Sequence, residues 1–140
     1  MKKFKFELEP LLRLRKYEQE QAQIELGKAV SAEAKIQADL DALAEQYAAI
    51  KKMGEGERDF SKIAEAQHFY SFVKVQQEQL FAQMAQAKIV TEEKRAAFNA
   101  AMQKTESLKK LRERKLEEHA AAAKKEEAKF LDDISTYKYN

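Results

Sequence analysis

Cysteine is absent from this 140-residue chain, and glycine and proline are scarce, with 3 Gly and 1 Pro. Without cysteine there is no disulfide framework and no thiolate metal site. The few Gly and Pro leave little turn chemistry, and Val, Ile and Thr together number 13, too few for a sheet protein. These shortages exclude a β-sandwich, a doubly wound α/β fold and a compact many-looped bundle as leading interpretations.

An excess of charge of one sign and long apolar runs are also missing. The chain has 26 Lys and Arg against 24 Asp and Glu, a formal net charge of +2, which does not indicate a nucleic-acid or membrane-surface protein. No apolar run is long enough to span a bilayer, and the stretch from Met1 to Glu7 lacks the apolar core of a signal peptide. The expected location is the cytoplasm.

Helix-forming residues are abundant: Ala, Glu, Lys, Leu and Arg occupy 80 of 140 positions, a composition typical of a long helix or coiled coil. Pro10, which a first helical turn tolerates, and the acidic Glu7 and Glu9 predict that a helix starts at about residue 8. Seam positions then alternate at spacings of 3 and 4 to about residue 53. They are Leu8, Leu12, Arg15, Gln19, Ala22, Leu26, Ala29, Glu33, Ile36, Leu40, Leu43, Tyr47 and Ile50.

A turn is predicted over residues 54–60, where Gly54 and Gly56 bracket an acidic residue. Ser61 is the expected N-cap of a second helix that runs to about residue 135. The predicted fold is all-α, with two long helices forming an antiparallel coiled-coil hairpin, the second helix longer, in a single coiled-coil domain over residues 1–140.

The unequal helix lengths have a consequence for partners. Folding back at the turn is expected to pair residue i with residue 114 − i, so that everything after Ser107 projects beyond the hairpin. Apolar side chains on this projecting segment have no companion within the chain and need another molecule to cover them. They are Leu108, Leu111, Leu116, Phe130, Leu131, Ile134 and Tyr137.

No catalytic or metal-binding constellation is visible. His119 follows two glutamates on a charged helix and is expected to be solvated, and His68 has no ligand-like neighbours. The Gly54-x-Gly56 element is a turn rather than a phosphate loop, because no strand precedes it and no Gly-Lys-Ser/Thr follows. We therefore expect neither an enzyme nor a cofactor or metal.

A basic stretch from Lys104 to Lys115 holds six positive residues against Glu106 and Glu113. It is a solvated flank of the coiled coil or a contact for an acidic partner. Nucleic acid is the weakest of the three interpretations, because no aromatic residues interleave the charges for base stacking.

Five aromatic residues lie where the predicted pairing brings the two helices together near the turn: Tyr47, Phe60, Phe69, Tyr70 and Phe72. Consecutive positions step by 100° around a helix, so Phe69, Tyr70 and Phe72 cannot all face one narrow seam. They either form a wide plug that closes the hairpin tip, or at least one is exposed as a docking anchor.

Two terminal signatures resemble those of a known family. The stretch Phe6-Glu-Leu-Glu-Pro-Leu-Leu-Arg-Leu-Arg15, with Glu20-x-Ala22 and Leu26 after it, resembles the N-terminal signature of the FliJ family of flagellar type III export. Leu111-Arg-Glu-Arg-Lys-Leu-Glu-Glu-His119 and the later Lys124–Asp133 segment resemble its C-terminal signature. With the single central turn, the resemblance covers essentially the whole chain.

The resemblance implies a stalk protein similar to the shaft of rotary ATPases. Its terminal helices would bind in the central pore of the hexameric flagellar export ATPase, and its tip would reach the cytoplasmic domain of the export-gate membrane protein. It would promote ATPase assembly and protein export, and handle export chaperones, at the inner face of the cell membrane without inserting into it. No nucleic acid is implied.

The resemblance also implies two sets of binding residues. The ATPase-binding set is Leu8, Leu11, Leu12, Arg13, Arg15, Arg112, Arg114 and Lys115. The export-gate set is Leu40, Leu43, Tyr47, Phe69, Val73 and Gln76. Several members of the second set also belong to the seam, where they cannot be both wholly buried and wholly available to a partner.

Two alternatives stay open. One is a structural coiled coil that self-associates through its projecting segments. The other is a general export chaperone or adaptor that offers a helix to a partner's groove.

Overall fold

A computed structural model describes residues 2–139 as two α-helices packed against each other in an all-α hairpin, with no strand in that range. Helix α1 spans Glu9–Met53 and helix α2 spans Phe60–Tyr139. The predicted fold class is confirmed, and α2 continues beyond the predicted end near residue 135. Helix–helix packing divides the chain into a terminal unit, residues 2–21 and 98–139, and a tip unit, residues 22–97.

In the terminal unit, the first residues are not helical and lead directly into α1. The carbonyl of Phe6 accepts a hydrogen bond from the backbone N–H of Glu9 (3.2 Å), and that of Leu8 accepts one from Leu12 (2.9 Å). Glu9 places its negative charge in the first turn, where the helix dipole favours it. Phe6 and Leu12 are both buried, so the chain entering α1 is anchored by its own apolar side chains.

In the tip unit, the turn uses one left-handed residue. The Gly54 N–H donates to the Ile50 carbonyl (3.0 Å), which closes α1, and Gly56 adopts a φ of 78°. The Glu57 carboxylate then accepts hydrogen bonds from the backbone N–H groups of Asp59 (3.0 Å) and Arg58 (3.2 Å). The bond from Asp59 is the main reason why the pKa of Glu57 lies below its ordinary value.

Asp59, rather than Ser61, caps the N-terminus of α2. Its carboxylate accepts a hydrogen bond from the Ser61 N–H (3.0 Å), and its carbonyl accepts one from Ile63 (3.0 Å). The prediction of a Ser61 cap was wrong because Asp59 and Ser61 could each supply a capping oxygen, and the carboxylate comes two residues before the serine.

The seam of the tip unit is thin. Ala29, Leu40 and Val73 are its buried apolar residues, and the buried Thr91 donates its hydroxyl hydrogen bond to the Glu33 carboxylate on the facing helix. Nearer the turn, the Tyr47 and Tyr70 rings pack with their centroids 4.9 Å apart. Small and polar side chains therefore occupy much of the contact between the helices.

The predicted pairing of residue i with 114 − i is wrong in both units. It pairs Glu33 with residue 81, but the structure brings Glu33 to Thr91. It pairs Glu9 with residue 105, but the structure brings Glu9 to Arg112. Side chains lean towards the N-terminus of their own helix, so those of α1 lean away from the turn and those of α2 lean towards it. Contacting residues are therefore further along α2 than a symmetric fold-back predicts.

Candidate functional site

The terminal unit contains an N-terminal segment, residues 2–8, that lies against α2. Phe6 is only 7% exposed, and residues 2–8 border a shallow cavity of about 570 Å³ whose other wall is α2. Leu111, Lys115, Glu118 and His119 form that wall. Because the segment covers α2 as far as His119, the prediction that α2 is uncovered from Ser107 onward was wrong.

Arg112 holds this arrangement together by two contacts. Its guanidinium Nε donates to the Glu9 carboxylate at 3.0 Å, and its Cζ lies 5.6 Å from the centroid of the Phe4 ring. A half-exposed ion pair of this kind contributes about 0–1 kcal/mol, and a cation–π contact at an exposed site about 0.5–1 kcal/mol. Arg112 thus joins the start of α1 and the N-terminal segment to α2.

His119 is packed rather than solvated, contrary to the sequence-based expectation. Its Nε2 donates to the Lys2 carbonyl at 2.8 Å, and its ring meets the Phe4 ring edge-on at a centroid distance of 5.6 Å. The signal for this contact is the pair Phe4 and Phe6, since two large apolar residues ahead of a helix start need a surface to pack on.

Beyond His119, the side chains of residues 120–138 in the tail of α2 are exposed, apart from a half-buried Ala123. Four large apolar side chains lie here at spacings that place them on one side of the helix. All four are exposed, up to 87% for Tyr137. We call them the tail stripe: Phe130, Leu131, Ile134 and Tyr137. The tail stripe belongs to the segment that was predicted to be uncovered, and in the structure it is uncovered.

The predicted ATPase-binding residues all lie in the terminal unit, but their surroundings differ. Leu12 is 2% exposed and belongs to the unit's core, and Leu11 is half-buried. Arg15 pairs with Glu18 at 3.0 Å, and Arg112 pairs with Glu9. The remaining members are exposed: Leu8, Arg13, Arg114 and Lys115.

The predicted gate-binding residues all lie in the tip unit. Leu40 and Val73 are buried between the helices, as their seam positions require, whereas Leu43, Phe69 and Gln76 are half-buried. Tyr47 is 38% exposed although its ring packs on Tyr70. The accessible part of this set is therefore smaller than the predicted set.

The aromatic residues near the turn divide into two groups. Tyr47, Phe69 and Tyr70 pack on one another, with the Phe69 and Tyr70 centroids 6.4 Å apart. Phe60 and Phe72 face solvent, and Phe60 is 84% exposed. A closed aromatic plug is thus excluded for the whole group, and the alternative with exposed aromatic residues is the one observed.

The basic stretch is only partly paired. Lys109 meets Glu106 at 3.5 Å and Lys115 meets Glu118 at 3.6 Å, both within one helical turn. Among residues 2–138, Lys104, Lys110 and Arg114 form no ion pair within the chain. These cations remain free to meet a partner's carboxylates.

Membrane-spanning segments and clusters of metal ligands are both absent from the part of the chain that the structure describes. Neither α1 nor α2 contains a segment long and apolar enough to cross a membrane. Over the same part of the chain, no three His, Asp or Glu side chains are grouped as a metal site would require.

Comparison with known proteins agrees with the two terminal signatures. The profile of the family described as flagellar FliJ protein matches residues 4–140, essentially the whole chain. No curated protein and no solved structure matches it. The chain therefore belongs to the FliJ family, whose role lies in flagellar export.

Proposed function

We propose that this protein is a stalk component of the flagellar type III export apparatus. It binds in the central pore of the hexameric export ATPase, links the ATPase to the export gate, and thereby promotes ATPase assembly and protein export. The FliJ family is structural or chaperone-type rather than a known class of enzymes, so the proposed action is mechanical and allosteric.

The tail stripe is the observation that carries this proposal. Phe130, Leu131 and Ile134 lie on one side of a helix, each at least 45% exposed, with no second helix of the described chain beside them. Exposed apolar side chains at helical spacing are the anchors by which a helix docks into a partner's groove. The central pore of the export ATPase is the proposed place where this helix docks.

The distribution of charge also supports the terminal unit as the part that binds the ATPase. The exposed cations Arg114 and Lys115 lie on α2, and the exposed Arg13 lies on α1 of the same unit. Exposed cations on the terminal unit favour a partner with an acidic surface, since complementary charge raises the association rate and fixes orientation.

The gate contact rests on the tip unit. Tyr47 and the half-buried Phe69 and Gln76 are accessible members of the predicted gate set. Leu40 and Val73 are buried in the seam of the same unit. An aromatic anchor held by packed neighbours is the arrangement found at binding hot spots. Export chaperones would be received by the same apparatus.

The proposed mechanism follows from symmetry. A two-helix stalk has no sixfold symmetry, so it contacts the subunits of a hexameric ring unequally. Its differential contacts stabilise one subunit conformation over another, and this coupling changes the turnover of the ring without any chemistry in the stalk.

The test is a titration of the purified full chain into the cognate export ATPase, with turnover and oligomeric state as readouts. We expect both to rise, and Ile134→Asp to abolish the rise because it places a charge in the tail stripe. Ala128→Asp is the matched control, since it adds the same charge to an exposed position on another side of the same helix. Unchanged turnover at saturation, or equal loss with both variants, would contradict the proposal.

A further inference from the structure

The face of α2 that points away from α1 in the tip unit carries a second apolar stripe. Val73 and Thr91, at 2% and 3% exposure, mark the side that packs on α1. On the far side, exposed residues recur at spacings of 3, 4, 3, 4 and 3, which keep them in one line along the helix. We call them the outer stripe: Phe72, Val75, Gln79, Ala82, Gln86 and Ile89.

The outer stripe is uncharged in a chain that is 36% Asp, Glu, Lys and Arg. Phe72, Val75 and Ile89 are each at least 50% exposed. The outer side of a solvated coiled-coil helix is ordinarily where charged residues concentrate. At the same spacing, the next position before Phe72 is His68 and the next after Ile89 is Glu93. Polar residues therefore bound the outer stripe at both ends.

The large apolar residues of the stripe lie towards its two ends, Phe72 and Val75 at one and Ile89 at the other. Laying a second copy antiparallel places Phe72 opposite Ile89, Val75 opposite Gln86 and Gln79 opposite Ala82, and each contact occurs twice. Any twofold pair has this reciprocity, in which residue i meets j and j meets i; the feature specific to this sequence is that the large Phe72 meets the large Ile89 twice. Large side chains then meet at both ends, and a small residue meets an amide in the middle.

The flanking positions accept the same pairing without a like-charge contact. Gln76 falls beside Gln83 of the second copy, and Glu78 falls beside Ala85. The end residues His68 and Glu93 face each other across the pair. Charge repulsion, the usual device against a wrong coiled-coil partner, is missing from this arrangement.

We infer that the outer stripe is a self-association surface that receives a second copy of this chain in antiparallel orientation. The interface is one helix face of about five turns on each side, and only three large apolar residues per copy contribute to it. Interfaces of this size are weak and transient, so the dimer forms at high local concentration and dissociates on dilution. It leaves the tail stripe free and does not depend on the proposed function.

The first experiment is sedimentation velocity of the full chain over a wide concentration range. We expect a reversible monomer–dimer equilibrium, and Ile89→Asp should raise its midpoint concentration at least about tenfold because each copy buries the new charge against Phe72. Phe81→Asp is the control on the same helix, 57% exposed and outside the stripe, and should leave the midpoint unchanged. A monomer at every concentration would overturn the inference.

A second experiment tests the orientation and exploits the absence of cysteine. A Phe72→Cys chain is mixed with a differently tagged Ile89→Cys chain and treated with a short thiol crosslinker. In the mixture we expect a crosslinked product that joins position 72 of one chain to position 89 of the other. The Phe72→Cys chain alone should give little product joined through two copies of position 72. A dominant 72–72 product, or association that responds to Ile134→Asp rather than to Ile89→Asp, would contradict the antiparallel outer-stripe dimer.

Discussion

The hydroxyl of Thr91 donates a hydrogen bond to the carboxylate of Glu33 on the facing helix, and Thr91 is 3% exposed. The Ala87 carbonyl oxygen lies 3.0 Å from the same hydroxyl, so the single hydroxyl hydrogen is shared between acceptors on the two helices. In a seam with few large apolar residues, this polar pair favours one register, because a slipped register leaves the buried Thr91 hydroxyl and the half-buried Glu33 carboxylate without each other.

Crosslinking can check the register directly. Glu33→Cys with Thr91→Cys should join efficiently within one chain through a short bifunctional thiol reagent, seen as a mobility shift on a denaturing gel. Ala29→Cys with Ala85→Cys, the pair that a symmetric fold-back favours, should join poorly. The reverse ranking would show that the helices pair in the symmetric register.

The two buried threonines should respond differently to loss of the hydroxyl. Thr91→Val leaves the Glu33 carboxylate without its donor and should lower the free energy of unfolding by about 1 kcal/mol. Thr105→Val should change it by less than about 0.5 kcal/mol, because the Thr105 hydroxyl donates only to the Ala101 carbonyl of its own helix. Urea denaturation followed by circular dichroism measures both, and equal effects would refute a special role for Thr91.

The N-terminal segment should be releasable without melting the helices. Phe6→Ala removes a buried ring, a change that costs about 3–5 kcal/mol in a closed core and less in a segment that can detach. We expect faster amide exchange and proteolysis within residues 2–8 with nearly unchanged helical content. Phe130→Ala, at an exposed site, should show neither effect; loss of helix in Phe6→Ala would indicate that the segment is essential to the fold.

Acid should weaken the turn through Glu57. Because the pKa of its carboxylate is lowered in the folded chain, chiefly by the Asp59 N–H, it stabilises the folded state above the unfolded-state pKa. That contribution is lost as the pH falls through the lowered folded-state pKa. Glu57→Gln should therefore be less stable than the parent at neutral pH and match it in strong acid, whereas the neighbouring variant Glu55→Gln should be destabilised less at neutral pH.

Periodicity and terminal residues were enough to predict the hairpin. Seam spacing located both helices, and the glycines at 54 and 56 located the turn, since these signals act within a few residues. The register was missed because it depends on contacts such as Glu9 with Arg112, more than a hundred positions apart. His119 was misjudged for the same reason: its neighbours in the fold, Lys2 and Phe4, lie at the other end of the sequence.

The central claim is that the tail stripe is received by the export ATPase. A photoreactive residue at Ile134 of the full chain, activated in a mixture with the assembled ATPase ring, tests it most directly. The account predicts a covalent product with an ATPase subunit, mapped to pore-facing residues, and no such product from the same probe at Ala128. Products with another copy of this chain alone, or equal ATPase products from both positions, would contradict it.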